Sequence, residues 1–423
     1  MAQRSRVRRI VLKPTKKLLS AAILLALLVS ACTRGVNEPL AGQIITLPRQ
    51  IDWTPRVATT IAAGALSSFV IQTDGSLWGW GIYGEVVFGK DDNILPPNQP
   101  HRIPVKLMEG VEAVSAGGWT SAGSHVMVLQ SNGSLWGLGK NSHGQLGDGT
   151  TNDRNEFVKI MDDVIALSTG GFHTMAIRTD GSLWAWGGNG FGQLGDGTTT
   201  DRHAPVRIME NVLTVAGGIA HTMAITADNV LWGWGSNGSG RLGYDATANE
   251  HNPKHPNPLR IMDAVAAVSA GWDHTMVIKT DGSLWVWGNN SRGRLGGGPI
   301  DATLTLRPGA SPIRIMDNVK VIAAGDMYSM AITADGVLWA WGFNAGRVTL
   351  GIGSRDTAIV DVDRPLKVMD DVATVSTWVG HAIAVRADGS AWTWGHNDAG
   401  ELGDGTFDSR GKPLQIMTNV RGR

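Results

Sequence analysis

The feature that most limits how this chain can fold is Thr179-Asp180-Gly181-Ser182-Leu183-Trp184-Ala185-Trp186-Gly187, a segment that returns along most of the sequence. Asp180-Gly181 lies between two apolar runs, the strongest short-range cue for a β-hairpin. Its counterparts are anchored at Asp74, Asn132, Asp228, Asp281, Asp335 and Asp388, and the intervals from Asp74 onward are 58, 48, 48, 53, 54 and 53 residues. A recurring period of about 50 denotes a repeat architecture, so no residue can be interpreted apart from its unit.

Every unit parses like the third. Val164 to Gly170 reads as a strand ending on glycine, and His173 to Arg178 alternates into the Asp-Gly turn. Ser182 to Gly187 returns as the other arm of the hairpin. After a Gly/Asp-rich loop, Pro205-Val206-Arg207-Ile208-Met209 supplies a fourth strand, with proline expected at its first position, where a missing N–H is tolerated. The fourth-strand motif recurs at Pro104, Phe157, Pro258, Pro312, Pro365 and Pro413. Four-stranded sheets cannot bury both faces alone, whereas in a radial array each covers the next. The expected fold is all-β: a seven-bladed β-propeller of four-stranded antiparallel blades over residues 57–423. Two ways of closing the ring stay open. Either each blade is one contiguous segment, or Pro413 to Met417 joins the first blade. Helical solenoids are excluded, because no unit holds apolar residues at 3.6 spacing for long enough.

Thirteen of the seventeen tryptophans occupy the third-strand arm, as in Trp184 and Trp186. At i, i+2 spacing such a pair shares one sheet face, so these rings are expected to fill the gaps between blades.

The first 31 residues read as an export signal and 32–56 as a tether. Seven basic residues, Arg4 to Lys17, precede an apolar run from Leu18 to Val29. At about twelve residues this run is too short for a bilayer span, which needs roughly 20. Leu28-Val29-Ser30-Ala31-Cys32 resembles the lipobox of bacterial lipoproteins, and Cys32 is the sole cysteine, so a disulfide framework is ruled out. Lipid attachment at Cys32 is expected, placing the protein at the membrane of a bacterial envelope, the outer one where there are two. Arg8-Arg9-Ile10-Val11-Leu12-Lys13 resembles a twin-arginine motif, which leaves the export route open. The 37 basic and 37 acidic residues balance, but without the signal 30 face 37, a formal charge of −7. No Lys/Arg run remains, so nucleic acid is not an expected partner.

Asp180 to Gly187, Gly192-Gln193-Leu194-Gly195-Asp196-Gly197, Pro205 to Ile208 and Gly218-Ile219-Ala220-His221-Thr222 together resemble the repeat of the regulator of chromosome condensation family. The first and sixth units depart from it, with Gly84-Glu85-Val86-Val87 and the stretch from Gly346 to Val362 in place of the Gly-Gln-Leu-Gly turn. The resemblance implies a seven-bladed propeller but not one activity. The eukaryotic founder is a nuclear exchange factor for a small GTPase and binds chromatin. An exported, acidic lipoprotein meets neither, so no small-GTPase partner is expected. A plant relative senses ultraviolet light through tryptophans, and a secreted bacterial relative inhibits β-lactamases with aromatic side chains on one rim.

The turns between the first and second strands all emerge on one face. They carry Leu66, Trp119, Phe172, Ile219, Trp272, Asp273, Met327 and Trp378. Large apolar side chains in loops suggest a binding patch for an envelope or extracellular protein or glycan. The alternative is that they fold inward and plug the channel. His125, His173, His221, His274 and His381 recur at the start of the second strand, which points to a structural role in bonding the adjacent turn. Spaced around a ring they suit no metal. No nucleophile elbow, P-loop, dinucleotide fingerprint or HExxH occurs. The expectation is therefore a monomeric binding module without cofactor or metal rather than an enzyme. The competing view is a glycan-active lyase or hydrolase at the channel mouth, to which Asp273 and Asp326 would be central.

Overall fold

The computed structural model describes residues 59–82, 100–119, 124–244, 254–298, 311–353 and 361–422. The export signal, Cys32, the whole tether and Gly84 to Val87 lie outside them, as does part of the irregular stretch after Gly346. Seven four-stranded sheets, each antiparallel and in simple sequential order, span residues 61–108, 111–161, 164–209, 212–262, 265–316, 319–369 and 372–417. We number them blades 1 to 7. Each is one contiguous segment, so no strand is exchanged to close the ring. The circle is fastened by an antiparallel bridge between Gln72 and Val420, flanked by Thr73 N–H to Asn419 O (2.9 Å) and Arg421 N–H to Ile71 O (2.9 Å).

Blade 3 shows why the repeat folds this way. Its strands are Val164–Thr169, His173–Arg178, Leu183–Gly187 and Arg202–Met209. The first strands line a central channel of about 470 Å³ with small residues such as Ala116, Ser168, Val215 and Ala323. The hairpin forms where Asp180-Gly181 places it, but four residues, Thr179 to Ser182, separate the two strands rather than two. The extra length arises because the Asp180 carboxylate accepts from Ser182 N–H (2.9 Å) and its hydroxyl, while Gly181 takes φ 78°. The outer strand starts three residues before Pro205, so the proline is internal to it. It is tolerated there because the strand is the blade's free edge and its pairing slips between Ala185 and Gly187.

In the six arms that carry two tryptophans, the two differ, as blade 3 shows. Trp184 is half-buried and donates its indole N–H to Ser182 Oγ at 2.9 Å. Trp186 is fully buried among blade 2 residues, including Met127 and Leu146, so the arm rings do fill the space between blades.

Candidate functional site

The tip face, where first strands turn into second strands, is built on a ring of hydrogen bonds between neighbouring blades. His125 Nε2 lies 2.9 Å from Thr174 Oγ1, and that hydroxyl donates to Gln145 O at 2.7 Å. Because the threonine proton is spent on the carbonyl, the imidazole must be the donor through Nε2–H. Trp186 Nε1 donates to the same Gln145 carbonyl at 3.0 Å. Blade 2 thus supplies histidine and carbonyl, and blade 3 supplies hydroxyl and indole. The set repeats with His173, Thr222, Trp234 and Gln193 O, and with His221, Thr275, Trp287 and Arg241 O. It returns with His274, Ser329, Trp341 and Arg294 O, and closes with His381, Ser68, Trp80 and Glu401 O. The histidines therefore bond the next blade's hydroxyl through Nε2, and among the described residues only His381 also meets the adjacent turn expected from sequence, with Nδ1 3.4 Å from Val379 O. In blade 6, Tyr328 replaces histidine and bonds Thr377 Oγ1 and His381 O.

Burial pulls His173 and His274 down to about 3, His381 to about 4, and His221 well below the ordinary imidazole range. In His173, His221 and His274 the Nδ1 atom is buried without a partner, so a second proton would be a stranded donor. They are neutral struts. Among the described residues no group of three His, Cys, Asp or Glu side chains could hold a metal.

A second ring, of main-chain bonds, fixes the turns. Gly118 N–H donates to Gly170 O, Gly171 to Gly218, Ile219 to Gly271, Trp272 to Gly325, and Asp326 to Trp378. The glycine that opens these turns is compulsory for steric reasons: a Cβ on Gly170 would lie 2.5 Å from Gly218 O.

The eight predicted side chains do not form an even rim. Leu66, Phe172, Ile219 and Met327 are half-buried at their own turns. Phe172 meets the edge of His143 at 5.0 Å between ring centres, and His143 Nδ1 lies 3.0 Å from Asp201. The tryptophans converge on the channel mouth instead. Trp119, 48% exposed, stands edge-on to the half-buried Trp272 with ring centres 5.4 Å apart, although blades 2 and 5 are far apart in the ring. Trp378 was expected on the surface and is only 6% exposed. Its indole N–H donates to Gly118 O at 2.6 Å, which draws the ring over the channel. The inward alternative therefore holds for Trp378 and not for Trp119.

Sequence reasoning passed over the arginines that hold these turns. Arg241 and Arg294 occupy the glutamine position of the Gly-Gln-Leu-Gly turn, where Gln145 and Gln193 merely fold back onto their own loops. Both are nearly buried. Arg241 donates to Trp272 O (3.3 Å) and pairs with Asp273 at 2.6 Å, while Arg294 donates to Asp326 O (3.0 Å). The glutamine-to-arginine change was a readable cue. Burial raises Asp326 despite the Met327 N–H it accepts and the nearby Arg294, and burial likewise raises Glu401.

This geometry is that of a seven-bladed β-propeller whose variable turns meet on one face. The profile of the regulator of chromosome condensation (RCC1) repeat matches residues 132–177, 180–225, 228–278, 281–332 and 388–422, more than half of the chain. The chain belongs to the RCC1 repeat family. A second profile of that repeat matches 164–193, 212–241 and 265–294. The human E3 ubiquitin-protein ligase HERC2 is 30% identical over 172 residues, 39% of this chain and 3% of HERC2. The ultraviolet-B receptor UVR8 of Arabidopsis thaliana is 30% identical over 159 residues, 36% of this chain and 34% of the receptor. The chain thus spans only a small part or about a third of these relatives' own length. Among solved structures, Prp20p of Saccharomyces cerevisiae, studied for its binding to Gsp1p and histones, superposes with a TM-score of 0.68 at 20% identity, covering 85% of this chain and 88% of Prp20p. Human WBSCR16 gives 0.67 at 18% identity, covering 81% and 93%. At these identities the likeness is one of fold.

Proposed function

We propose that this chain is a lipid-anchored interaction module of a bacterial envelope, joined to the membrane through Cys32, which captures an envelope or extracellular protein or glycan on its tip face. The observation that carries the reading is Trp119. It is the one tryptophan among the described residues that reaches this degree of exposure, and it is braced against Trp272 rather than free to swing. A rigid, half-exposed aromatic is the kind of side chain that dominates binding energy at interfaces, because little side-chain entropy is lost on contact. The other exposed aromatics, Phe191 and Phe407, lie in loops between third and fourth strands, which open on the same face. Relatives on this fold include proteins studied as complexes, such as yeast RCC1 with Kap60.

Asp273 supports binding over hydrolysis. Its carboxylate is engaged by Arg241 at 2.6 Å, in a pair that braces the turn carrying Trp272. The test is capture from envelope extract on the immobilised full-length chain. Trp119→Ala should abolish capture of a partner held by the wild type while leaving thermal unfolding within about 0.5 kcal/mol, as for exposed sites in general. Capture undiminished by this substitution would overturn the proposal.

A further inference from the structure

Six of the seven seams between blades carry the Trp-to-carbonyl bond, and five carry the full histidine–hydroxyl–carbonyl set. The seam between blades 1 and 2 lacks the residues for either. Ser67 stands where the others have histidine or tyrosine, and its buried Oγ has no partner among the described residues. Val126 replaces the threonine and Leu138 replaces the buried tryptophan. What faces across this seam is an apolar layer of Phe69, Val114, Val126, Val128 and Leu138, with Thr59 bonding Val114 in both directions.

Two contacts reach blade 2 from beyond blade 1. On the tip face Trp378 of blade 7 donates to Gly118 O, and on the opposite face Arg421 pairs with Glu112 at 2.8 Å. Gly118 immediately precedes Trp119. The main-chain ring of the tip also skips blade 1, running from Gly118 round to Trp378, so the indole of Trp378 is the link that completes it.

We infer that Trp378 is a positioning residue of the tip site: its bond to Gly118 O holds shut the one seam that, among the described residues, carries neither the histidine set nor the tryptophan bond and has Thr59 on Val114 in their place, and thereby keeps Trp119 against Trp272. The inference rests on the reading of the tip as a binding site for its functional meaning, but the seam itself can be tested without any partner. Hydrophobic contact is non-directional, so an apolar seam resists sliding and opening less than one pinned by directional hydrogen bonds. A partner gripping both Trp119 and Trp272 would clamp this seam, whereas an opened seam would offer no paired aromatics.

The experiment uses thiol labelling of the full-length chain, in which Cys32 is the sole native thiol and is subtracted using the unsubstituted chain. Val128→Cys probes the seam between blades 1 and 2, and Ala176→Cys and Ala224→Cys probe those between blades 2 and 3 and blades 3 and 4. All three sites are fully buried. Under native conditions the thiol at 128 should react at least roughly tenfold faster than those at 176 and 224, the factor that corresponds to one net hydrogen bond. Adding Trp378→Phe, which keeps an aromatic side chain but removes the N–H donor, should speed labelling at 128 by a further roughly tenfold and leave 176 and 224 unchanged. Equal rates at the three sites, or no response at 128 to Trp378→Phe, would overturn the inference. If 128 responds but Trp378→Phe captures partner like the wild type, the latch stands and its role in positioning the tip fails.

Discussion

Mild acid should take the ring apart, and the size of the effect follows from the histidine struts. His173, His221, His274 and His381 are fully buried, and burial holds each below the unfolded value of 6.5. The folded form therefore binds fewer protons than the unfolded chain, and stability rises with pH through this region. The contribution is fully present above about pH 6.5 and drains away as the pH falls toward the folded values, about 3 for His173 and His274 and about 4 for His381. Between pH 7 and pH 5 each group with a folded value of about 3 to 4 loses about 2 kcal/mol, so the three together lose on the order of 6 kcal/mol, comparable to the whole stability of an ordinary domain, and His221 adds in the same sense. Asp326 and Glu401, raised by burial, work in the opposite sense and trim the total. Denaturant titration of the intact chain at pH 7, 6 and 5 measures the slope. Uptake of about three to four protons on unfolding near pH 5.5 is expected. A midpoint that stays level from pH 7 to pH 5 would refute the account of the histidines as neutral struts.

Thr174→Val copies the residue that blade 2 carries at Val126, but in blade 3 it strips Gln145 O of one donor and His125 Nε2 of its acceptor; a loss of about 1–3 kcal/mol is expected in chemical denaturation. Cys32→Ser should stop incorporation of labelled palmitate and release the protein from the membrane fraction. Persistence of either would remove the lipid anchor from the proposal.

How far the sequence could be read depended on whether a signal was local. Asp180-Gly181, the tryptophan pairs and the prolines of the fourth strand each act within a few residues, and from them the blades and their number were legible. The partner of His173 was not. It is Thr222, 49 residues away and in the next blade, and no pattern within one unit contains that contact. Ring closure was undecidable for the same reason, since both alternatives use identical strands. The tip turns were located from the spacing of the repeat, yet Trp119 and Trp378 look alike there. One is exposed and the other buried because Trp378 takes the place of the glycine that elsewhere faces the next blade's carbonyl, and blade 1 leaves room for it to lean across. The arginines at 241 and 294 were hidden inside a motif whose glutamine form is inert.

The bridge between Gln72 and Val420 joins residues 348 positions apart in the chain, and the pairs made by Arg421 lie beside it. Blades 2 to 7 can each settle on a predecessor as translation proceeds, and blade 7 meets the open flank of blade 1 through His381 and Glu401 before residues 419–421 add the bridge. A nascent chain stalled a few residues earlier would hold seven formed sheets without this bridge. The same few residues make the circle indifferent to where its breaks fall: with the two ends spliced by a short linker, new termini cut between any two blades should yield the same wheel.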